Sequence, residues 1–438
     1  MNIKNFAGSF VLLGLFSISY FANAPFVKVK NQQLFIGDKP YYFIGANYWY
    51  GTFLGLEKDK KRGAERLRKE LDFLKRNGVT NLRVIAGAEG TGMINGVERI
   101  APPLQPVQGK FNTEVLEGLD LLLFEMGKRD MKAVVFFSNN WEWSGGFQQY
   151  LIWNKKVPKE METRRLTWDE LRDTVAQFYS CVPCKAAYNE QVSLVMNRTN
   201  KFSKKKYIDD ATIMAWELAN EPRPMRPSAN EDYKKWISDT AAMIKKKDKN
   251  HLVTLGHEGS IGTESLQLFE EIHADKNIDY LTIHIWAKNW QWFRDGKLAE
   301  DFPKAAEKMT DYINEHLTIA KKLNKPLVIE EFGLPRDAQS LDINLPTTLR
   351  DNYYEKIFKI LAENAKQNSN LAGANFWAFG GTARPIKNQL FWKKGDNLMG
   401  DPPMEEQGLN SVFDTDKTTW TIINNYTKLI EKKQKLFR

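Results

Sequence analysis

Cysteine is nearly absent from this 438-residue chain: Cys181 and Cys184, with Val182-Pro183 between them, are the whole supply. In an exported chain such a pair is placed to form a small local disulfide. No thioredoxin-like βαβ pattern surrounds it to suggest redox chemistry. Histidine is also scarce, at five residues, and the five make no metal pattern; His257-Glu258 lacks the second histidine of a zinc helix. No metal and no cofactor are therefore expected. There is no Gly-x-Ser-x-Gly elbow and no phosphate-cradling glycine loop. Beyond residue 24 no apolar run is long enough to span a bilayer. Repeats and low-complexity segments are missing as well, so nothing argues for a second domain. The net charge is +9, but lysine runs such as Lys204–Lys206 and Lys245–Lys249 are not interleaved with aromatics. They are expected to be solvated surface, which leaves nucleic acid out as a partner.

With 42% hydrophobic and 27% charged residues, the chain suits a soluble globular protein with a large core. Residues 1–24 have the layout of a secretory signal: Lys4, the apolar stretch Phe6–Phe21, and Ala22-Asn23-Ala24 as a cleavage site. Pro25 hinders cleavage directly before it, so the exact site stays open. The mature part, residues 25–438, is expected to act as a monomer that is secreted, periplasmic or held at the cell surface.

Phe26–Phe43 alternates like two short strands joined at Gly37-Asp38-Lys39-Pro40, a hairpin able to plug the bottom of a barrel. Strands and helical patterns then alternate. The strands are Phe43–Asn47, Asn81–Ala86, Lys132–Ser138, one from Ile213, Leu252–Leu255, Tyr280–Ile285, one from Pro326, and Gly373–Phe379. A last helix is expected after Asp414, placed as its cap. Residues 141–200 form the longest insertion. Eight β-α units imply a parallel sheet closed into a single (β/α)8 barrel, with long loops at the C-terminal ends of the strands, where such folds place their sites.

Two of those strands end alike. Ile213–Arg223 starts as a buried apolar run and ends in Asn220-Glu221-Pro222, where proline stops the ladder. Pro326–Gly333 ends in Glu330-Glu331-Phe332-Gly333. A single strand-end glutamate is as readily a salt-bridge partner. Two of them, on the fourth and seventh strands of one barrel, can stand roughly 5–5.5 Å apart, as glycosidic cleavage with retention requires. Glu217 shares the parity of Glu221 and is expected to be a buried partner of an arginine.

The sequences Trp216-Glu-Leu-Ala-Asn-Glu-Pro222 and Ile329-Glu-Glu-Phe-Gly333 together resemble glycoside hydrolase family five. Within it, His284-Ile-Trp-Ala-Lys-Asn-Trp290, Asn375-Phe-Trp-Ala-Phe-Gly-Gly381 and Gly400-Asp-Pro-Pro-Met-Glu-Glu-Gln-Gly408 are similar to the endo-β-1,4-mannanase branch. The resemblance spans residues 26–435 and implies a retaining (β/α)8 hydrolase. It makes Glu221 the acid/base and Glu331 the nucleophile, with Glu330 expected to face the helices because adjacent strand residues alternate. Arg83 is implied beside the nucleophile and Asn220 at the sugar 2-hydroxyl. His284 corresponds to the family histidine and Trp377 to the platform under the sugar. Trp286 stands where the family usually has tyrosine. Asn140, Trp141 and Trp290 complete the expected substrate contacts; Trp143 and Trp292 are further stacking candidates, whereas Trp216 and Trp236 are expected in the core. The implied substrate is β-mannan, glucomannan or galactomannan. The near alternative is a β-1,4-glucanase, the distant one a barrel that binds polysaccharide without cleaving it.

Overall fold

The computed structural model describes residues 25–435; the expected signal, residues 1–24, lies outside them. Eight parallel strands build the barrel. They are β1 (Phe43–Asn47), β2 (Asn81–Ile85), β3 (Lys132–Phe136), β4 (Ile213–Glu217), β5 (Leu252–Thr254), β6 (Leu281–Ile285), β7 (Leu327–Phe332) and β8 (Leu371–Phe376). The ladder runs β5-β4-β3-β2-β1-β8-β7-β6. Single bonds draw its two ends together, among them Asp279 N–H to Val253 O at 2.8 Å and His284 N–H to Glu258 O at 3.0 Å. Every residue of these eight strands is buried. Covered on both faces, the strands do not alternate between apolar and polar, and the polar residues they carry, such as Arg83, Glu217, His284 and Glu331, are buried as well.

The N-terminal plug is present but has three strands, not two. Val27–Lys30 and Gln33–Ile36 pair antiparallel, and Lys39–Pro40 adds to the second. The first reversal is at Asn31-Gln32, both at positive φ (47° and 61°), the two-residue turn that matches strand twist. Val27 and Leu34 pack with Val134, Met214, Leu252 and Val328, near the starts of the barrel strands.

Two further elements differ from expectation. The eighth strand stops at Phe376; after a cis Trp377–Ala378 peptide, Phe379–Gly381 pairs instead with Val412–Phe413. The last helix begins at Lys417, and Asp414 does not cap it but takes Arg384 Nη2 at 2.5 Å. Within the insertion, Trp168–Val175 is capped by a Thr167/Glu170 box, and Val182–Met196 forms a second helix. Cys181 and Cys184 are disulfide-bonded at the start of that helix. No helix of the described residues is long and apolar enough to cross a membrane.

Candidate active site

Polar residues at the C-terminal ends of the strands converge on Arg83, which is wholly buried. Its guanidinium donates from Nε and Nη2 to Glu217 (2.8 and 2.5 Å), from Nη2 to Asn220 Oδ1 (2.7 Å) and from Nη1 to Asn47 Oδ1 (3.1 Å). Nη1 also ion-pairs with Glu331 Oε1. The expected partnership of Glu217 with an arginine is therefore present. A fixed, always-charged fork suits a site where two carboxylates must be held from different strands.

Glu331 is further bound by Trp286, whose indole Nε1–H donates to Oε2 at 3.1 Å. Glu221 is bound by Trp141, whose indole N–H donates to Oε2, and stands 2.7 Å from His284 Nδ1 through Oε1. The same ring nitrogen lies 3.4 Å from Glu331 Oε2. One oxygen of each glutamate and a nitrogen of His284 fall within 4.8 Å of one another. Those three are the only group with metal-ligand spacing among the described residues, and Arg83 already supplies a positive charge beside it.

The backbone is shaped for this. Glu221 holds φ at +52°, a left-handed conformation uncommon for a side chain other than glycine, fixed by its N–H bond to Gly256 O at 2.8 Å. Asn220 is pinned between Ser138 O, which takes its N–H (2.8 Å), and Asn139 Oδ1, which takes its side-chain amide (3.0 Å).

Burial dominates the electrostatics. It pushes the Glu331 carboxyl well above its ordinary value despite Arg83 pulling it down, and the charge of Glu221 adds to the rise. Glu221 is likewise raised by burial, against Arg223, Trp141 and Arg83. His284 is pushed down to about 4 by burial, so it is neutral near pH 7.

Of the residues expected here, Arg83, Trp141, Asn220, Glu221, His284, Trp286 and Glu331 form one bonded cluster. Trp377 is buried with its ring edge-to-face against Trp286, centroids 5.9 Å apart, and its Nε1 has no partner. Asn140 contributes a buried side-chain nitrogen that is also unpartnered. Trp290 is anchored elsewhere, its ring against Trp292 and Tyr312 at 5.1 and 5.2 Å. Trp143 is a core residue packed on Trp49, not a stacking platform.

Glu330 does not face the helices. Its Oε2 lies 3.7 Å from both Arg83 Nε and His284 Nε2, inside the barrel. Between β6 and β7 the register slips: Ile283 opposes Ile329 and His284 opposes Glu331, leaving Glu330 the extra residue of a bulge. A bulge breaks the alternation on which the outward placement depended.

Asn47 and Glu405 were not anticipated. The strand-end position of Asn47, the same signal that marked Asn220, was sufficient to find it. Glu405, on the loop after β8, is raised to about 8 by burial, then by Asp401 and Glu221. No sequence pattern separates it from its neighbours in the Gly400–Gly408 stretch.

A buried pair of glutamates from the fourth and seventh strands of an eight-stranded barrel, flanked by a fixed arginine, defines a glycoside hydrolase. Residues 24–435 match the family model described as GH family 5 beta-mannosidase-like. The chain belongs to that family. A solved family 5 mannosidase from Rhizomucor miehei is 33% identical, with a TM-score of 0.83 over 94% of this chain and 99% of the other. A variant of it, in complex with mannosyl-fructose, is 34% identical over 94% and 98% of the two chains, also at 0.83. Mannan endo-1,4-beta-mannosidase 4 of Solanum lycopersicum is 27% identical over 82% of this chain and 84% of its own length. An endo-1,4-beta-mannanase of R. miehei, at 21% identity over 93% and 99% of the two chains and a TM-score of 0.64, shares the fold.

Proposed function

We propose that this glycoside hydrolase cleaves β-1,4-mannosidic linkages with retention, Glu331 attacking the anomeric carbon and Glu221 serving as acid, then base. The observation that carries the assignment is how the two carboxylates are held. Glu331 is ion-paired with Arg83, whereas Glu221 is held by the Trp141 N–H and faces His284. Burial and mutual repulsion keep the two carboxyls from ionising together, and Glu331 alone of the two touches the guanidinium, which favours the charge there. Glu221 keeps the proton and can give it to the leaving oxygen. Glycosylation then removes the negative charge of Glu331, Glu221 becomes more acidic, and it can take a proton from water. The approach of the two carboxylates to within 4.8 Å supports direct attack rather than a water held between them. Asn220 serves the 2-hydroxyl, Trp377 the sugar face, and the unpartnered nitrogen of Asn140 another hydroxyl.

Mannose as the unit at the cleavage point is supported by the mannosidase and mannanase relatives. Endo action is the mode named for the tomato relative. A specific observation favours attack at chain ends. The loop after β8 meets loops on opposite walls: Trp49 Nε1 donates to Gly400 O (2.8 Å), Arg165 Nη2 to Met404 O (3.4 Å), and Lys288 pairs with Glu406 (3.3 Å). Arg165 N–H in turn donates to Asn95 Oδ1 (3.0 Å), closing the ring towards the loop after β2. A walled pocket admits a chain end more easily than the middle of a polymer.

Mannan viscosity and reducing ends, followed together, separate the modes. Endo action lowers viscosity early, while chain-end action releases mannose with viscosity held. We expect mannan or manno-oligosaccharides to be preferred over carboxymethyl cellulose by at least ~10²-fold, roughly 2.7 kcal/mol in transition-state binding. Equal rates on both would replace the mannoside reading with the glucanase one. Export through residues 1–24 is part of this proposal, supported by a disulfide that persists in oxidising compartments. N-terminal sequencing of the protein in the medium or periplasm tests it.

A further inference from the structure

Trp168 opens the helix Trp168–Val175 of the long insertion, and it is 47% exposed. An isolated exposed tryptophan needs no explanation, but this one continues the site. Its ring lies against that of Trp141, with centroids 6.4 Å apart and planes 29° apart. Trp141 is the residue whose indole N–H holds Oε2 of Glu221, whereas Oε1 faces His284. His284 also approaches Glu331, at 3.4 Å. The two tryptophans therefore lie on the side of Glu221 turned away from the nucleophile. An acid placed there protonates the oxygen of the departing chain, and the chain beyond that oxygen runs past Trp141 towards Trp168.

Two guanidinium groups fix the outer ring. Arg223 lies 5.2 Å from the ring centre of Trp141 and 5.5 Å from that of Trp168, and donates through Nη2 to Glu258 at 2.6 Å. Arg172, one helical turn on, lies 5.9 Å from the Trp168 ring and is held by Met225 O and Glu264, both at 2.6 Å. Cation–π contacts from guanidiniums tied to other partners keep the indole in one place, while nearly half of it stays open to solvent. A flat aromatic held ready in this way loses little freedom when a sugar face packs on it. Arg165, three residues earlier, reaches Met404 O of the loop after β8 at 3.4 Å, which places this segment at the rim of the site.

We propose that Trp168 is a sugar-binding platform for the leaving chain. The 6.4 Å step between the two rings is close to the length of one hexose unit. Trp141 thus borders the first departing sugar and Trp168 the second. The ligand is a β-1,4-linked manno-oligosaccharide with at least two units beyond the cleaved bond. The assignment rests on the mannoside reading with Glu221 as the acid; it holds for attack at chain ends and within chains alike.

Mannotriose carrying carbon-13 in its reducing unit tests it against mannobiose. Release of labelled mannobiose from the trimer places a second departing sugar on Trp168, whereas hydrolysis of the dimer places none there. Trp168→Ala should lower the ratio of these two kcat/KM values about tenfold, mainly by raising KM for the trimer. Trp168→Tyr should restore most of the ratio. A ratio does not depend on how much of a variant folds. A ratio unmoved by Trp168→Ala, including an equal fall on both substrates, overturns the proposal, because Trp168 would then only prop Trp141. Calorimetric binding of both ligands to Glu331→Ala, with and without Trp168→Ala, should show the same tenfold change in relative Kd. Failure of the underlying reading looks different. The wild type would prefer cello-oligosaccharides, on which the same ratio is then read, or Glu221→Ala would lose all substrates equally.

Discussion

Trp286 shows how a departure at one residue can preserve a contact. The family usually places tyrosine there, and an indole cannot reproduce a phenol's geometry, yet Nε1–H still reaches Glu331 at 3.1 Å. Trp286→Phe removes that donor together with part of the ring that packs on Trp377. A hydrogen bond to a charged group contributes about 1.5–3 kcal/mol, so kcat should fall roughly 10- to 100-fold with KM less affected. Trp286→Tyr should recover part of the loss, and steady-state kinetics on one mannoside compare all three. Glu331→Ala should abolish turnover, with azide rescue giving the α-configured glycosyl azide. Glu221→Ala should spare substrates with good leaving groups. Activity surviving in Glu331→Ala but lost in Glu330→Ala would reverse the assignment of nucleophile. At this scale the sequence was informative wherever a polar residue ended an apolar strand, as with Asn220, Glu221 and Glu331; Arg83 lies mid-strand and was picked out by the family resemblance alone. It was misleading at Glu330, because a bulge is a property of two strands and neither carries its signature alone.

Among the elements, the helix Leu298–Leu323 is tied to the loop after β5 through a histidine. Ser260 N–H donates to His316 Nε2 at 2.8 Å, while Nδ1 bonds Tyr312 O at 2.7 Å. Both contacts need the neutral ring, and burial lowers His316 to about 4. The unfolded chain, with histidine near 6.5, binds more protons between about pH 4 and 6.5, so this contribution is complete above 6.5 and lost as pH falls towards 4. His316→Gln should flatten the slope of stability against pH in that window by about one proton, measured by denaturant unfolding. An unchanged slope would mean the ring is not held neutral. The disulfide closes only a four-residue loop at the start of Val182–Met196. Reduction should therefore cost about 2 kcal/mol or less and leave kcat intact. Val182–Met196 was not legible as a helix, because its apolar residues are spread around the axis, whereas the β-α alternation was legible. The split of the eighth strand was not, because Phe379–Gly381 is apolar enough to continue it and leaves only to pair with Val412–Phe413.

Across the whole molecule, β-α alternation was enough to predict the barrel, since eight buried parallel strands have few other ways to cover both faces. Loop contacts were beyond that logic. Trp49 with Gly400, Arg165 with Met404 and Lys288 with Glu406 join residues more than 100 positions apart through backbone oxygens and flexible side chains, which leave no periodic trace. In the proposed chain-end mode, those contacts narrow the site around the end of the substrate. Shortening the loop between Gly381 and Gly408 should move products from mannose towards longer oligosaccharides, as chromatography of early digests would show.

In the proposed mechanism one buried glutamate forms a covalent bond to the sugar and the other manages the proton. Proton NMR of the first product tests it most directly, recorded before mutarotation. Two successive inversions predict that the newly formed reducing end appears as the β-anomer. An α-anomer appearing first would mean a single displacement by water, and would contradict the assignment of Glu331 as nucleophile.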